Sequence, residues 1–161
     1  MTGVSDDPEG AEVLEECTDV YDRMPPEPQE RIHLMSLPMD DIDENAHLVN
    51  ALHRQATVVV QKSLVEGFGL TVTEPMWKAR PVLASRVGGI QDQVVDGESG
   101  VLLDDPTDLA AFGRELLALV GDPARCERIG AAARERVREH FLGDRHLLQY
   151  VDLFDRLVGD H

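Results

Sequence analysis

The chain has 161 residues, of which 42% are hydrophobic, and this length allows one domain with one substantial core. Its formal net charge of −16 argues against nucleic acid or an anionic membrane surface as a partner, because both are themselves negatively charged. There is no apolar run of about 18 residues, the N-terminus is acidic, and Cys17 and Cys126 match no metal spacing, so we expect no membrane span, free thiols and a cytoplasmic protein.

The first third of the chain is strongly acidic. Residues 1–50 hold fourteen of the 31 acidic residues against two arginines. The apolar spacing predicts a helix at 8–23, and three prolines at 24–29 end it, so that 1–30 is an acidic helix with a proline-rich linker. The segment RIHLMSL at 31–37 predicts a short strand.

The middle of the chain alternates strands and helices. A helix at 43–55 is capped by Asp43 or a neighbour, and the β-branched run ATVVVQ at 56–61 is typical of a strand buried on both faces. A helix, a strand, a helical turn, a turn and a last short strand are then predicted at 73–79, 81–85, 90–95, 96–100 and 101–103.

The last third is predicted to be helical. Thr107 caps a helix that ends near residue 120, and Asp122 followed by proline opens another that ends near residue 140. A C-terminal helix is predicted at 143–161. It carries an apolar stripe that we expect to lie in the core or to clamp another domain, formed by Leu147, Val151, Phe154 and Val158.

The order of these elements indicates the fold class. Strands alternating with helices imply an α/β fold with a Rossmann-like parallel sheet and helices on both faces. Four strands are predicted, whereas doubly wound nucleotide-binding domains usually have about five or six. The chain 1–161 is therefore interpreted as a single partial domain that lacks its first strands.

The segment with the clearest chemistry is the glycine-spaced turn EGFGL, which links the strand at 56–61 to the next helix. Such a turn lies at the carboxyl edge of a parallel sheet, where ligands bind. Gly67 and Gly69 can take positive φ and let a ligand approach the backbone. The amides of Leu70 and Thr71 lead into a helix N-terminus, which suits phosphate oxygens.

Two carboxylates flank this turn. Glu66 can accept hydrogen bonds from sugar hydroxyls and Glu74 from ribose hydroxyls, while a plain strand–loop–helix with solvated acids explains the same residues equally well. The same spacing recurs at Glu127 and Glu135 within an amphipathic helix, where a solvated helix face is the better interpretation.

The longer string is more specific than the spacing. EGFGLTVTE, followed by MWK, a strand and VGGIQDQVVDGESGVLL, resembles the donor-site motif of retaining GT-B glycosyltransferases of the glycogen-synthase and sucrose-synthase type, which form glycosyltransferase family 4. EGFGLTVTEPMWKARPV is most similar to the trehalose-forming branch of that family. The resemblance extends from Ser5–Gly10 to the last helix and is most specific at 61–103.

The resemblance implies a role for each residue of the motif. Glucose would move from a nucleoside diphosphate glucose to a sugar acceptor without a cofactor or catalytic metal, and stabilisation of the leaving diphosphate would be the main contribution. The nucleobase would lie near 35–37. The implied contacts are those of Glu66, the catalytic acid, with the transferred glucose, of Gly67, Phe68 and Gly69 with the same sugar, of Leu70 and Thr71 with the diphosphate, and of Glu74 with the ribose.

The chain departs from the family pattern in two ways. Pro75 replaces an alanine, which is harmless in the first turn of a helix unless that amide touches the donor. The diphosphate-binding arginine and lysine of the family precede Ser5, as does the acceptor domain, so we expect this chain to be inactive alone. A homodimer or a separately encoded N-terminal half are the expected protein partners, beside the nucleotide sugar. A non-catalytic nucleotide-sugar-binding module, a phosphorylase-like enzyme and an epimerase-like enzyme remain alternatives.

Three further features lie in or beside the motif. Gly88-Gly89 is expected to form a tight turn, and lies on the edge where it can also approach the donor sugar. Lys62 can reach a phosphate or simply be solvated. Met76 and Trp77 are expected to pack in the core.

Overall fold

The computed structural model describes residues 8–37 and 40–159. Its elements are α1 (Pro8–Asp22), α2 (Pro26–Gln29), α3 (Ile42–Gln55), β1 (Val59–Gln61), α4 (Leu70–Trp77), β2 (Val82–Ser85), α5 (Ile90–Gln93), β3 (Val101–Leu103), α6 (Leu109–Val120), α7 (Pro123–His140) and α8 (Gly143–Gly159). The chain divides into two compact units, residues 1–50 and 51–161. No helix in the described ranges is long and apolar enough to cross a membrane.

The first unit contains helices but lacks the strand predicted at 31–37. α1 confirms the predicted helix, and reciprocal hydrogen bonds of 3.2 Å between Tyr21 and Gln29 join its end to α2. Within the described residues no strand pairs with 31–37. The predicted strand is wrong because an extended segment becomes a strand only when a neighbouring strand pairs with its backbone.

The sheet belongs to the second unit and has three parallel strands in the order β1-β2-β3. β2 lies between the other two and is buried throughout. β1 is shorter than the strand predicted at 56–61, and Val60 at its centre is 38% exposed. The prediction of a strand buried on both faces is therefore wrong for β1, because in the described sheet it lies at an edge.

Helices cover both faces of the sheet, which confirms the predicted α/β fold class. One cluster packs α4, α5 and the second half of α7 on one face, with buried members Val72, Met76, Val82, Ala84, Ile90, Val94, Leu102, Ala133 and Val137. The other packs α6 and the first half of α7 on the opposite face, with buried members Leu83, Val101, Leu103, Leu119, Cys126 and Ile129. Successive residues of β2 alternate between the clusters, as pleating requires.

Aspartate side chains cap three of the helices. Asp41, a neighbour of Asp43, accepts two amide hydrogen bonds of 3.0 Å at the start of α3. Asp122 caps α7 as predicted, at 2.9 Å. The predicted cap at Thr107 is wrong, because Asp108 accepts the α6 amide bond at 2.8 Å and stands one residue closer to the helix.

The predicted C-terminal helix is confirmed as α8 as far as Gly159, while residues 160–161 lie outside the described ranges, and the apolar stripe of α8 faces solvent. Leu147, Val151, Phe154 and Val158 are between 48% and 71% exposed. The expectation that the stripe lies in the core is therefore wrong within the described chain, and a clamp on another domain stays a prediction. Cys17 and Cys126 are free thiols, as expected, and Cys126 is buried.

Candidate functional site

The candidate site is the loop between β1 and α4, at the carboxyl edge of the parallel strands. Gly69 has φ of 90° and ends this loop, so α4 begins at Leu70. The start predicted at 73 is three residues late, because a left-handed glycine turns the chain into the helix without a polar capping side chain. Gly67 does not use the positive φ that is open to glycine, and a β-carbon there would meet nothing within 4 Å.

Two successive carbonyl groups of the loop accept hydrogen bonds from the segment that follows β2. The Gly89 amide donates to the Gly67 carbonyl at 2.8 Å, and the Gln93 side-chain amide donates to the Phe68 carbonyl. In a trans peptide the N–H lies opposite the C=O of the same plane. The amides of Phe68 and Gly69 are therefore turned to the side of the loop that faces away from these two donors.

The Gly88-Gly89 turn, confirmed after β2, lies directly against the loop backbone. Gly88 has φ of 50°, and a β-carbon on it would lie 1.7 Å from the Glu66 carbonyl oxygen. A β-carbon on Gly89 would lie 2.8 Å from the carbonyl oxygens of Gly67 and Phe68. Only glycine fits this contact, so the turn supports the loop from below, a role that the sequence pattern did not predict.

The residues predicted to bind the diphosphate and ribose share the solvent-exposed face of α4. Leu70, Thr71 and Glu74 are exposed, and their spacing of three and four residues places them one above another. The rest of the helix faces the core, through Val72, Thr73, Pro75 and Met76. In the described part of the chain no acceptor is bonded to the amide of Leu70 or of Thr71, as expected in the first turn of a helix.

Glu66 is half-buried and is oriented by its own loop. Its Oε1 accepts from the Gly67 amide at 3.1 Å, and its Oε2 accepts from the Ser63 hydroxyl at 3.4 Å. Ser63 Oγ in turn accepts from the Gln61 side-chain amide at 2.8 Å. The carboxylate keeps further lone pairs for a ligand, because two weak bonds do not saturate its two oxygens.

Glu74 lies in a different setting from Glu66. It is near His53 at the end of α3 and near Lys78 just after α4. Burial lowers the pKa of His53, Lys78 lowers it further, and the Glu74 charge opposes both. Glu74 is therefore an exposed carboxylate close to a half-buried histidine.

Pro75 lies in the second turn of α4 and is fully buried. The expectation of a first-turn proline is wrong, because the helix starts three residues earlier than predicted. Proline has no N–H to donate to the carbonyl four residues before it, which belongs to Thr71. Because its ring is in the core, Pro75 takes no part in the exposed face of the helix.

The side chain of Phe68 contacts the end of α7. Its ring meets the Phe141 ring edge-on, with centroids 6.5 Å apart, and the Arg136 guanidinium lies 5.8 Å from the Phe141 centroid. Arg136 also donates to the carbonyl oxygens of Asp92 at 2.7 Å and of Gln93 at 2.5 Å. The loop, α5 and α7 are thus joined around Phe68.

Gln93 and Arg136 were not among the predicted site residues. A signal for Gln93 exists in the sequence, because it stands between Ile90 and Val94 on the apolar side of a helical turn. Arg136 lies 43 residues further along the chain, and no local sequence pattern predicts its contact with Gln93.

Charged groups near the loop show no metal site. Among the described residues no group of three His, Cys, Asp or Glu side chains is arranged to hold a metal ion. Lys62 follows β1 and is close to Asp105. Hydrogen bonds from Thr107 lower the pKa of Asp105, and Lys62 adds a smaller lowering effect. Lys62 is therefore partly offset by a carboxylate.

The similarity to known proteins includes the region of the candidate site. The model of the family described as "Glycosyl transferases group 1" matches residues 43–136. The chain is 43% identical to the trehalose synthase of Pyrococcus horikoshii over 118 residues, which are 73% of this chain and 28% of that protein. The chain thus spans little more than a quarter of that relative's length.

Solved structures share the fold. Sucrose-phosphate synthase from Thermosynechococcus elongatus matches 96% of this chain and 37% of its own, with a TM-score of 0.74 and 27% identity. A TarM variant of S. aureus, in a structure with Fondaparinux, alpha-GlcNAc-glycerol and UDP, matches 66% of this chain and 22% of its own, with a TM-score of 0.60 and 27% identity. These neighbours are GT-B glycosyltransferases. Since the family model matches more than half of the chain, this protein belongs to the group 1 glycosyl transferases.

Proposed function

We propose that this chain binds the nucleoside diphosphate glucose donor of a retaining, trehalose-forming glycosyltransferase. The observation that carries the proposal is the loop from Glu66 to Thr71, whose carbonyls are held inward at Gly67 and Phe68 and which leads into the unbonded amides of α4. Such an arrangement offers main-chain donors to an anionic ligand. The similarity to trehalose synthases supports glucose and trehalose as the sugars.

The transferred glucose would lie against the loop. Glu66, half-buried and oriented by the Gly67 amide, accepts hydrogen bonds from glucose hydroxyls. The outward amides of Phe68 and Gly69 donate to the oxygens of the same sugar. In this role Glu66 is the catalytic-site acid that fixes the sugar relative to the breaking bond.

The nucleoside diphosphate would lie along the exposed face of α4. The amides of Leu70 and Thr71 sit at the positive end of the helix dipole and stabilise the charge that develops on the departing diphosphate. Glu74, on the same exposed face, accepts from the ribose hydroxyls. No step in this scheme needs a metal ion or a cofactor.

The whole transfer reaction is proposed for the complete enzyme. The chain spans 28% of the length of its P. horikoshii relative, and we propose an acceptor site outside the loop at 66–71. We also propose a cytoplasmic location, which the free thiols of Cys17 and Cys126 support.

Titration calorimetry of the full chain with ADP-, UDP- and GDP-glucose tests the proposal. We expect one of the three to bind. Glu74→Gln should weaken that sugar nucleotide and the matching nucleoside diphosphate equally, by about tenfold, because the ribose is common to both. Glu66→Gln should weaken the sugar nucleotide alone.

Glu127→Gln is the matched control, because Glu127 belongs to the other pair with the same spacing and is exposed on α7. It should bind as the parent chain does. Absence of binding to all three sugar nucleotides would contradict the proposal. Binding of glucose 1-phosphate in the absence of any nucleotide would instead indicate a phosphorylase-like enzyme.

A further inference from the structure

The side chain of Gln93 joins the short helix α5 to the proposed donor loop, residues 66–71. We propose that Gln93 is a positioning residue, which fixes the loop in the conformation that presents its amides to the donor. The inference rests on the proposed function of that loop. It adds a residue that lies outside the motif and touches no donor atom itself.

The first step in the argument is the bond that Gln93 makes. Its side-chain amide donates to the Phe68 carbonyl, and a β-carbon on Gly69 would lie 3.6 Å from Gln93 Nε2. The Phe68 carbonyl and the Gly69 N–H belong to one peptide plane. A donor that holds the carbonyl therefore also sets the direction of the Gly69 amide and the left-handed turn that starts α4.

The second step concerns how Gln93 is itself held. Arg136 on α7 donates to the main-chain carbonyls of Asp92 and Gln93, at 2.7 and 2.5 Å. The Arg136 guanidinium also lies over Phe141, whose ring meets that of Phe68. Phe68 is thus held at two points, by the hydrogen bond to its carbonyl and by the contact of its ring with Phe141. Arg136 contacts both of the residues that hold it, Gln93 and Phe141.

The third step is that stability alone does not explain a glutamine here. Gln93 is fully buried, and its Oε1 has no hydrogen-bond partner among the described residues. A buried polar atom without a partner destabilises the folded state, so an apolar side chain of similar size would suit the core better. What the amide offers, and an apolar side chain does not, is the bond to Phe68.

The test compares Gln93→Met with Gln91→Met in the full chain. Gln91 lies on the same helix but is exposed, which makes it a matched control. Three quantities are measured: ¹⁵N order parameters of the amides at 67–71 without ligand, donor affinity by calorimetry, and the thermal midpoint. For Gln93→Met we expect the order parameters to fall from about 0.85 to below about 0.6. The affinity should fall about tenfold while the midpoint stays or rises.

A second variant tests the hydrogen bond itself. Gln93→Glu donates to the Phe68 carbonyl only when its carboxyl is protonated, so loop order and affinity should recover as the pH falls from about 8.5 to about 5.5. Burial raises the pKa of the introduced carboxyl, nearby Glu66 and Asp92 raise it too, and Arg136 lowers it. The order parameters and the donor affinity of each variant are divided by those of the parent chain at the same pH. Gln91→Glu should show no such recovery.

The results separate this inference from the proposed function. If the parent chain binds no sugar nucleotide, the proposed function fails, while the order parameters still decide whether Gln93 fixes the loop. Unchanged loop order in Gln93→Met overturns the inference. A disordered loop with undiminished donor affinity also overturns it. The same holds for a thermal midpoint that falls together with loop order and donor affinity, and for a Gln93→Glu variant whose loop order and affinity do not depend on pH.

Discussion

Glu66 with Glu74 and Glu127 with Glu135 have the same spacing, yet they lie in opposite kinds of structure. The first pair straddles a strand-to-helix junction, with the left-handed Gly69 between its members. Both members of the second pair lie inside α7, where Glu135 is paired with Arg138 on the surface. The difference teaches that the break in the backbone between two acids, and not their separation in sequence, makes room for a ligand.

The two pairs also differ in what holds them. The loop of the first pair is supported by Gly88, Gly89 and Gln93 from other parts of the sheet edge. The second pair depends on one helix and a neighbour three residues away. Changes in the supports should therefore disturb the first pair strongly and leave the second pair alone.

The largest expected effect comes from Gly88→Ala. Its β-carbon would lie 1.7 Å from the Glu66 carbonyl oxygen, at a φ of 50° that alanine rarely adopts. We expect a loss of about 2–4 kcal/mol in the free energy of unfolding, measured with urea, together with loss of donor binding. Gly67→Ala is the control, because nothing lies within 4 Å of its β-carbon, and its stability should change by less than about 0.5 kcal/mol. Equal stability of the two variants would contradict the support role.

An intermediate effect is expected from Arg136→Met. The change removes two charge-assisted hydrogen bonds to the carbonyls that end α5 and leaves those carbonyls without their donor. We expect a loss of about 1–3 kcal/mol in the free energy of unfolding, with weaker donor binding as well. Arg138→Met, two residues away and on the surface, loses only its ion pair with Glu135 and should lower the urea midpoint only slightly. A midpoint shift of the same size in both variants would show that α7 and not the loop is affected.

The smallest effect is expected from Glu135→Gln. The hydrogen bond from Arg138 lowers the pKa of Glu135, so this carboxylate contributes stability above its ordinary pKa, and the contribution disappears as the pH falls through the lowered value. The urea midpoint of Glu135→Gln should lie slightly below that of the parent at about pH 7, and the difference should shrink as the pH falls through the lowered pKa of Glu135. A difference that persists in acid would argue against the ion pair as its cause.

The sequence predicts much of this fold because the information is local. The apolar run of β2, the Gly88-Gly89 turn and the Asp122 cap all follow from neighbouring residues, and the structure confirms each. The donor loop is likewise a local string, and its placement at the strand-to-helix junction follows from the order of the elements.

The failed predictions depend on partners distant in sequence or on glycine. The strand at 31–37 fails because strand pairing depends on distant partners. The start of α4 fails because Gly69 replaces a polar cap, and the position of Pro75 fails with it. The contacts of Gln93 and Arg136 join segments more than 20 residues apart, where periodicity carries no information.

The inward carbonyls of Gly67 and Phe68 also affect how this loop can evolve. A surface made of main-chain amides keeps its hydrogen-bond donors when its side chains are substituted, provided that Gly88, Gly89 and the side-chain amide of Gln93 are retained. Leu70, which is 65% exposed, is therefore free to change, whereas the side chain of Phe68 is constrained by the contact of its ring with Phe141. Selection for a constant backbone would then act on Gly88, Gly89 and Gln93, which hold the loop through contacts with its main chain.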